Sequence, residues 1–331
     1  MVSLNRVRFA WIAPLVAGLA GAAAAQTVDF DERLREGQQL YTQGRYTDAE
    51  QLLGAALREA EREQLGSGLV ARILDLRGQT EEALGNYVEA ENVLNRALAI
   101  CRQSAAPGNT SASAVATHLA ELYLVERRPA DAEPLLRRSI AAIESKGAGN
   151  GVPLAVNEAD LAVALGQQRK FGEAEHLLRE ALKLLEAELG PNHPTLVGVL
   201  LPLTGVLIAA HRCAEAVEPA ERAWQITRAA APRIGDPDIA ATLDTMGLVY
   251  WKAGRPQEAE VYSEQAVAVA EGVYGPDQRQ LGWYLKNYAG ILRQLGRKSE
   301  AKALDERAKA ILAENARRSS GSRTVDVNAL R

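Results

Sequence analysis

Apolar residues recur at intervals of three and four along most of the chain, and this spacing predicts amphipathic α-helices. A clear example begins at Tyr46 and continues with Ala49, Leu53, Leu57 and Ala60. These residues lie on one face of a helix, because residues three and four apart are neighbours on its surface. Polar residues fill most of the positions between them, so the segment has one face suited to packing.

The helix patterns come in pairs. Residues 29–43, which precede the Tyr46 segment, place Leu34, Leu40 and Tyr41 on a similar face. Glycine stands where the first helix of a pair must end, since it takes the left-handed conformation there without strain. The glycines concerned are Gly44, Gly85, Gly254 and Gly296. Pro129 and Pro256 stand where a second helix begins, a position that tolerates a missing N–H. Few β-branched clusters or hairpin turns support a sheet.

A seven-residue motif recurs seven times. It reads GRYTDAE at 44–50, GNYVEAE at 85–91 and GRPQEAE at 254–260, with four looser copies at the corresponding places. The alanine shared by all copies recurs every 41 to 43 residues, at Ala49, Ala90, Ala132, Ala174, Ala216, Ala259 and Ala301. A constant period of this length predicts an array of stacked helix pairs, each resting on its neighbours.

Two further columns of small residues follow the same period. Seven residues after the shared alanine stand Ala56, Ala97, Ser139, Ala181, Ala223, Ala266 and Ala308. Twelve residues before it stand Gly37, Gly78, Ala120, Ala162, Thr204, Gly247 and Ala289. Small side chains allow helix axes to approach closely and leave space for larger neighbours.

These columns, with aromatic residues or leucine nearby, resemble the tetratricopeptide repeat. The 42-residue period and the segment ELGPNHPTLV at 188–197 are similar to the variant found in kinesin light chains and many bacterial proteins. The resemblance covers residues 29–316 and implies an all-α fold, a right-handed α-solenoid of about seven helix-turn-helix repeats. Asn287 matches one of that variant's paired asparagines, but His118, Asp160 and Pro202 occupy the equivalent position, so the resemblance implies no kinesin-like cargo.

The chain is expected to have three regions: a signal peptide at 1–25, the repeats with a C-terminal capping helix at 26–316, and a flexible tail at 317–331. The first region carries Arg6 and Arg8, then an apolar run from Phe9 that ends in Ala23-Ala24-Ala25, as a signal peptidase requires. An uncleaved membrane anchor is the alternative. We therefore expect a periplasmic or secreted protein whose mature chain has no membrane span.

In tetratricopeptide proteins the first helix of each repeat lines a concave groove, and the resemblance transfers those positions to this chain. The early wall is polar or charged and comprises Gln38, Tyr41, Arg72, Asp75, Gln79 and Glu82. The middle is apolar and comprises Leu124, Val156, Val163, Leu201 and Ile208. The late wall comprises Asp244, Trp251, Lys252, Trp283, Lys286 and Arg293. Trp251 and Trp283 have two interpretations at this stage, as exposed groove residues or as packing between repeats.

Residues suited to catalysis or metal binding are sparse. The four histidines, His118, His176, His193 and His211, have no zinc-site spacing, and no phosphate-binding or nucleophile motif is present. His211 and Cys213 share a turn, but no third group orients them. Cys101 and Cys213 are expected not to form a disulfide, because nearly three repeats separate them. The carboxylates that recur with the period are interpreted as scaffolding.

The formal net charge of −4 and the absence of a basic stripe argue against nucleic acid as a partner. We therefore expect a non-catalytic scaffold or adaptor that binds a protein or peptide in its groove, with no cofactor and no metal. The alternatives are a sensory or regulatory protein that binds a small ligand or signalling peptide, an enzyme, and a self-assembling structural unit. The sequence alone does not define the oligomeric state.

Overall fold

The computed structural model describes residues 21–103, 112–145, 147, 149–230, 237–276 and 279–321. These residues form fourteen α-helices and a 3-10 helix at Pro194–Leu196, with no strand among them. The helices are α1 (Gly21–Thr42), α2 (Tyr46–Arg62), α3 (Ser67–Leu84), α4 (Tyr87–Gln103), α5 (Ala112–Val125), α6 (Pro129–Glu144), α7 (Gly151–Gln167), α8 (Phe171–Leu189), α9 (Val197–Ala209), α10 (Val217–Ala230), α11 (Pro237–Lys252), α12 (Pro256–Tyr274), α13 (Arg279–Gln294) and α14 (Lys298–Gly321). The predicted all-α class and its helix pairs are confirmed.

The described residues form two compact units. The N-terminal unit contains α1 to α5 and ends at Glu126, and the C-terminal unit extends from Arg127 to Arg317. In each unit, helices that follow one another in the chain pack together, as α3 does with α4 and α7 with α8. Each odd-numbered helix also contacts the next odd-numbered helix of its unit. These pairs are α1–α3 and α3–α5 in the first unit, and α7–α9, α9–α11 and α11–α13 in the second. The odd-numbered helices thus form a continuous face within each unit, which we call the inner face.

The turns between paired helices share one backbone geometry. In the first repeat the N–H of Gly44 donates to the carbonyl of Tyr41, and the N–H of Arg45 donates to that of Leu40. This is the Schellman motif, which requires a left-handed residue directly after the helix. Gly44, Gly85, Gly254 and Gly296 have φ between 76° and 84°, as predicted.

Three middle repeats reach the same conformation without glycine. Arg127, Arg169 and His211 stand five residues before the shared alanine, as the glycines do, and have φ of 62°, 66° and 62°. Side chains other than glycine adopt this region at an energetic cost, because Cβ approaches the backbone carbonyl. The left-handed conformation is therefore set by the repeat architecture and not by the residue type.

The columns of small residues occupy the helix contacts. The seven shared alanines are fully buried, each with 0% of its surface exposed. A Cβ added to Gly78 on α3 would lie 2.4 Å from Cγ of Leu94 on α4, and one on Gly247 would lie 2.1 Å from Oγ of Ser263. These distances leave no room for a side chain, so glycine sets how closely α3 and α4 approach.

The carboxylates that recur with the period make ion pairs and hydrogen bonds. In five of the seven repeats the acidic residue before the shared alanine pairs with the arginine that precedes the helix, as Asp131 Oδ2 does with Arg128 Nε at 2.7 Å. The acidic residue after that alanine bonds the next repeat, as Glu175 Oε2 does with Arg212 Nη1 at 2.5 Å. One acidic residue therefore stabilises the turn and the other joins neighbouring repeats.

The predicted region boundaries are only partly within the described residues. Residues 1–20 and 322–331, which include most of the predicted leader and tail, lie outside them. Helix α1 begins at Gly21, inside the predicted leader, and α14 extends to Gly321, five residues past the expected end of the repeats. No helix of the described part of the chain has the length and apolarity needed to cross a bilayer.

Candidate functional site

The residues predicted to line the groove divide by exposure. Lys252, Lys286 and Arg293 are exposed, whereas Gln38, Arg72, Gln79, Val156, Trp251 and Trp283 are partly buried. The buried residues are Tyr41, Asp75, Glu82, Leu124, Val163, Leu201, Ile208 and Asp244. Nine of the predicted residues therefore offer side-chain surface to a partner.

The expected apolar middle needs correction. Leu124, Val163, Leu201 and Ile208 are each at most 5% exposed. In the C-terminal unit, α9 packs against both α7 and α11, and most of the large apolar side chains on α7 and α9 are buried. Only Val156 of the predicted apolar set has partly exposed surface. The others serve helix packing, so we leave them out of the proposed binding surface.

On the inner face of the N-terminal unit, polar side chains pair with one another. Arg72 Nη1 lies 2.7 Å from Asp31 Oδ1, and His118 Nδ1 lies 2.7 Å from Asp75 Oδ1. Gln79 Nε2 is 3.3 Å from the same ring nitrogen of His118. Each of these pairs joins neighbouring first helices, so the polar early wall is a network that links repeats.

Cys101 lies close to this network. Burial and the nearby Asp75 carboxylate raise the pKa of the Cys101 thiol. A raised pKa keeps the thiol protonated and lowers its reactivity as a nucleophile. As predicted, Cys101 and Cys213 are not joined by a disulfide, and both are partly buried.

On the inner face of the C-terminal unit, a buried polar pair joins α11 and α13. Asn287 Nδ2 donates to Asp244 at 3.1 Å from Oδ1 and 3.0 Å from Oδ2. Burial raises the pKa of Asp244 to about 7, and the hydrogen bond from Asn287 opposes this shift. The carboxyl of Asp244 is therefore only partly ionised near neutral pH. Asn287, which sequence reasoning identified from its repeat position, has a structural partner here.

Trp251 both packs between repeats and keeps an exposed surface, the two roles that the sequence left open. Its ring packs on α13, where a Cβ added to Gly290 would lie 2.4 Å from Cη2 of the indole. Its Nε1 donates to Oε1 of Gln294 at 2.6 Å. The indole remains partly exposed, so it contributes both to packing and to the surface. Sequence reasoning did not include Gly290 and Gln294, although both lie in the same repeat register as other predicted groove residues.

Two lysines lie over the two tryptophans. Lys252 Nζ is 3.9 Å from the centre of the Trp251 ring, and Lys286 Nζ is 5.3 Å from that of Trp283. A cation over an indole face is a favourable electrostatic contact. Arg293 on α13 is exposed and pairs with Asp305. It stands one position before the residue that is equivalent to Lys252 in the next repeat. We call Trp251, Lys252, Trp283, Lys286 and Arg293 the basic–aromatic face.

A half-buried carboxyl lies elsewhere in the C-terminal unit, on α7. Burial raises the pKa of Glu158 to about 7, and Glu144 and Glu180 repel its negative charge. Among the described residues, no group of three or more His, Cys, Asp or Glu side chains is arranged to hold a metal ion. The raised pKa follows from burial and from the like charges of the two neighbouring carboxylates.

Comparison with known proteins places this helical array in a family. Models described as the tetratricopeptide repeat match residues 34–103, 159–195 and 238–314, which together make up more than half of the chain. The chain belongs to the tetratricopeptide repeat family. No curated protein matches the sequence.

Two Rap proteins of known structure share the fold at low identity, and a kinesin light chain gives a lower structural score. The Rap conjugation gene regulator of plasmid pLS20, in complex with the Phr* peptide, is 16% identical with a TM-score of 0.68, over 96% of this chain and 83% of that one. A Rap protein complexed with competence and sporulation factor is 15% identical with a TM-score of 0.62, over 88% and 78%. A putative kinesin light chain of Podosopora anserina is 25% identical with a TM-score of 0.48, over 61% and 95%.

Proposed function

We propose that this protein is a non-catalytic scaffold or adaptor that binds a protein or peptide on its inner face. The observation that carries the proposal is the basic–aromatic face, whose two partly exposed tryptophans and three exposed cations stand on the neighbouring first helices α11 and α13. Tryptophan and arginine are the residues that contribute most to binding energy at protein interfaces. The fold itself is suited to this role, since the similar Rap regulator holds the Phr* peptide.

In this proposal the protein binds its partner and catalyses no reaction. The partly buried pair His118–Asp75 and the buried pair Asn287–Asp244 each join neighbouring first helices and thereby fix the spacing of the inner face within their unit. A face that is already ordered loses less conformational entropy when a partner binds. The partner then contacts side chains that project from a preformed helical array.

Cross-linking mass spectrometry on the native protein tests this proposal. A lysine-reactive reagent should join the partner to Lys252 and Lys286 on the inner face. Lys183 is the matched control, because it is exposed on α8, a second helix of its pair. Cross-links that cluster at Lys183, with none at Lys252 or Lys286, would contradict the inner-face assignment.

We also propose that the protein acts outside the cytoplasm, in the periplasm or after secretion. Arg6, Arg8 and the apolar run that ends at Ala25 support this proposal. Sequencing the N-terminus of the protein from an envelope fraction should find Gln26 as the first residue. An intact Met1 in the same fraction would instead favour an uncleaved anchor.

A further inference from the structure

Glu158 is a glutamate at a position that belongs to the core in most other repeats. It stands on α7, 16 residues before the shared alanine Ala174. In five of the other six repeats the equivalent residue is apolar and buried, namely Leu74, Ala116, Leu200, Leu243 and Leu285. The remaining one is Arg33, whose charge is paired with Asp29 and Glu59. Glu158 is half-buried, and its Oε2 atom is enclosed with no hydrogen-bond partner among the described residues. Its charged form is therefore poorly solvated.

A second departure from the repeat pattern occurs on the neighbouring helices. At three other places an arginine six residues after the shared alanine pairs with a glutamate twelve residues after the preceding shared alanine. These pairs are Arg96–Glu61, Arg222–Glu186 and Arg307–Glu271. Between the third and fourth repeats the arginine position holds Glu180 and the glutamate position holds Glu144. Two carboxylates thus stand where an attractive ion pair joins the second helices of other repeats.

The same two carboxylates are the charged groups that act on Glu158. Helix α7 packs against α6, α8 and α9. Glu144 at the end of α6 and Glu180 on α8 both repel the charge of Glu158, whereas α9 carries no titratable side chain. Lys183 lies 2.7 Å from Glu180 and, with a weaker contribution from His176, lowers the pKa of Glu180, so that Glu180 stays ionised near neutral pH. We call Glu144, Glu158 and Glu180 the acidic joint.

Ionisation of Glu158 should weaken the packing of α7. Burial raises the pKa of Glu158 from 4.5 to about 7, and the two like charges add to the shift. The packed state therefore binds the proton more tightly than an opened state in which water reaches the carboxyl. The resulting stability is complete below about pH 4.5 and is lost as the pH rises to about 7. Helix α7 is thus held most firmly against α6 and α8 when Glu158 is protonated.

We propose that the acidic joint is a proton-operated switch: protonation of Glu158 holds α7 against α6 and α8, and loss of the proton lets this joint open locally so that water reaches the carboxylate. In a solenoid each repeat contacts only its neighbours, so a change at one joint alters the orientation of the repeats on its two sides. The inference goes beyond the proposed function and does not depend on it, because the acidic joint is on α6, α7 and α8 and the basic–aromatic face is on α11 and α13.

Hydrogen–deuterium exchange of the full chain tests the inference, with labelling times scaled for the effect of pH on the chemical exchange rate. Local opening of α6, α7 and α8 should be about tenfold more frequent at about pH 8 than at about pH 5.5. Peptides from α2 and α4, which are joined by Arg96–Glu61, are the internal control and should show no such increase. Glu158→Gln, which cannot ionise, should remove the increase. Glu180→Arg, which restores the arginine of the other repeats, should reduce it.

Carbon-13 NMR of labelled glutamate side chains measures the titration itself. The Glu158 signal, identified by its absence from the spectrum of Glu158→Gln, should titrate near pH 7, and at lower pH in Glu180→Arg. A midpoint near the ordinary value of 4.5 would overturn the inference. Titration near pH 7 with equal opening of α6, α7 and α8 at both pH values would overturn it as well, because the proton would then control no opening. An increase in opening that persists in Glu158→Gln would also overturn it, since another group would then be responsible.

Discussion

Asn287 Nδ2 lies within hydrogen-bonding distance of both carboxyl oxygens of Asp244, which stands 43 residues earlier on the neighbouring first helix. The same relationship recurs in the N-terminal unit, where His118 pairs with Asp75 across 43 residues. In both cases an acidic residue 15 positions before the shared alanine meets a residue 14 positions before the next one. The same repeat register thus places a polar contact between first helices in each unit, partly buried in the N-terminal unit and buried in the C-terminal unit.

The Asp244 carboxyl should make stability depend on pH. Its pKa is raised to about 7 in the folded chain by burial, whereas an exposed aspartate has a pKa of 3.8. The folded state therefore binds the proton more tightly, and the free energy of unfolding should fall as pH rises from about 4 to about 7. Asp244→Asn removes this titration, so it should stabilise the chain more at about pH 8 than at about pH 5.

Urea unfolding at the two pH values checks this prediction. Glu300→Gln is a useful control, because Arg297 lowers the pKa of Glu300 and its stabilising contribution is lost as pH falls. Because that loss occurs below about pH 4.5, the effect of Glu300→Gln should be nearly the same at about pH 5 and about pH 8, whereas the effect of Asp244→Asn should differ. An Asp244→Asn effect of equal size at both pH values would refute the proposed role of burial.

Gly78 should not tolerate even one methyl group. Its Cβ would lie 2.4 Å from Cγ of Leu94, which is fully buried on α4. Gly78→Ala should therefore lower the free energy of unfolding by about 1–3 kcal/mol through overpacking. Adding Leu94→Ala to Gly78→Ala should relieve the clash, so the two effects should not be additive.

Gly272→Ala is the matched control for Gly78→Ala. Gly272 lies in α12, and a Cβ there would meet no atom within 4 Å. Alanine should stabilise the exposed helix at this position by about 0.5–1 kcal/mol. Thermal unfolding of the two variants should shift in opposite directions. Similar shifts would show that helix propensity, and not the contact with Leu94, decides the outcome at Gly78.

His211→Gly should stabilise the protein. His211 has φ of 62° and occupies the turn position that is glycine in four other repeats. Glycine relieves the strain energy of the left-handed conformation in the folded state, and this gain should exceed the conformational entropy that glycine adds to the unfolded chain. The free energy of unfolding should therefore rise by about 0.5–1 kcal/mol. Gly254→Ala at the equivalent position should have the opposite sign. A loss of stability in His211→Gly would mean that the His211 side chain makes a stabilising contact.

Much of the fold follows from the sequence because the repeat imposes the same constraints seven times. The columns headed by Ala49, Ala56 and Gly37 occupy helix contacts, and Gly44 has the left-handed conformation expected of it. Arg127, Arg169 and His211 were not predicted to be left-handed, because residue type alone gives no such indication. These three residues align with Gly44 in the repeated motif, and that alignment is the signal that predicts their left-handed conformation.

The site was harder to predict than the fold. Periodicity assigns Leu201 and Trp251 to the same face, but exposure depends on how closely neighbouring first helices pack. Leu201 is 3% exposed, whereas Trp251 keeps a partly exposed ring over Gly290. The pairing of Asp75 with His118 likewise depends on the register between repeats, which a single-repeat pattern does not specify.

The most direct test of the inner-face account is the affinity of the partner identified by cross-linking for two tryptophan variants. Trp251→Ala combined with Trp283→Ala should raise the dissociation constant at least about tenfold, since aromatic anchors carry much of an interface's energy. Trp224→Ala, on the second helix α10, should leave it unchanged while circular dichroism shows both proteins still helical. Equal affinity of the double variant and the unmodified chain would contradict the account.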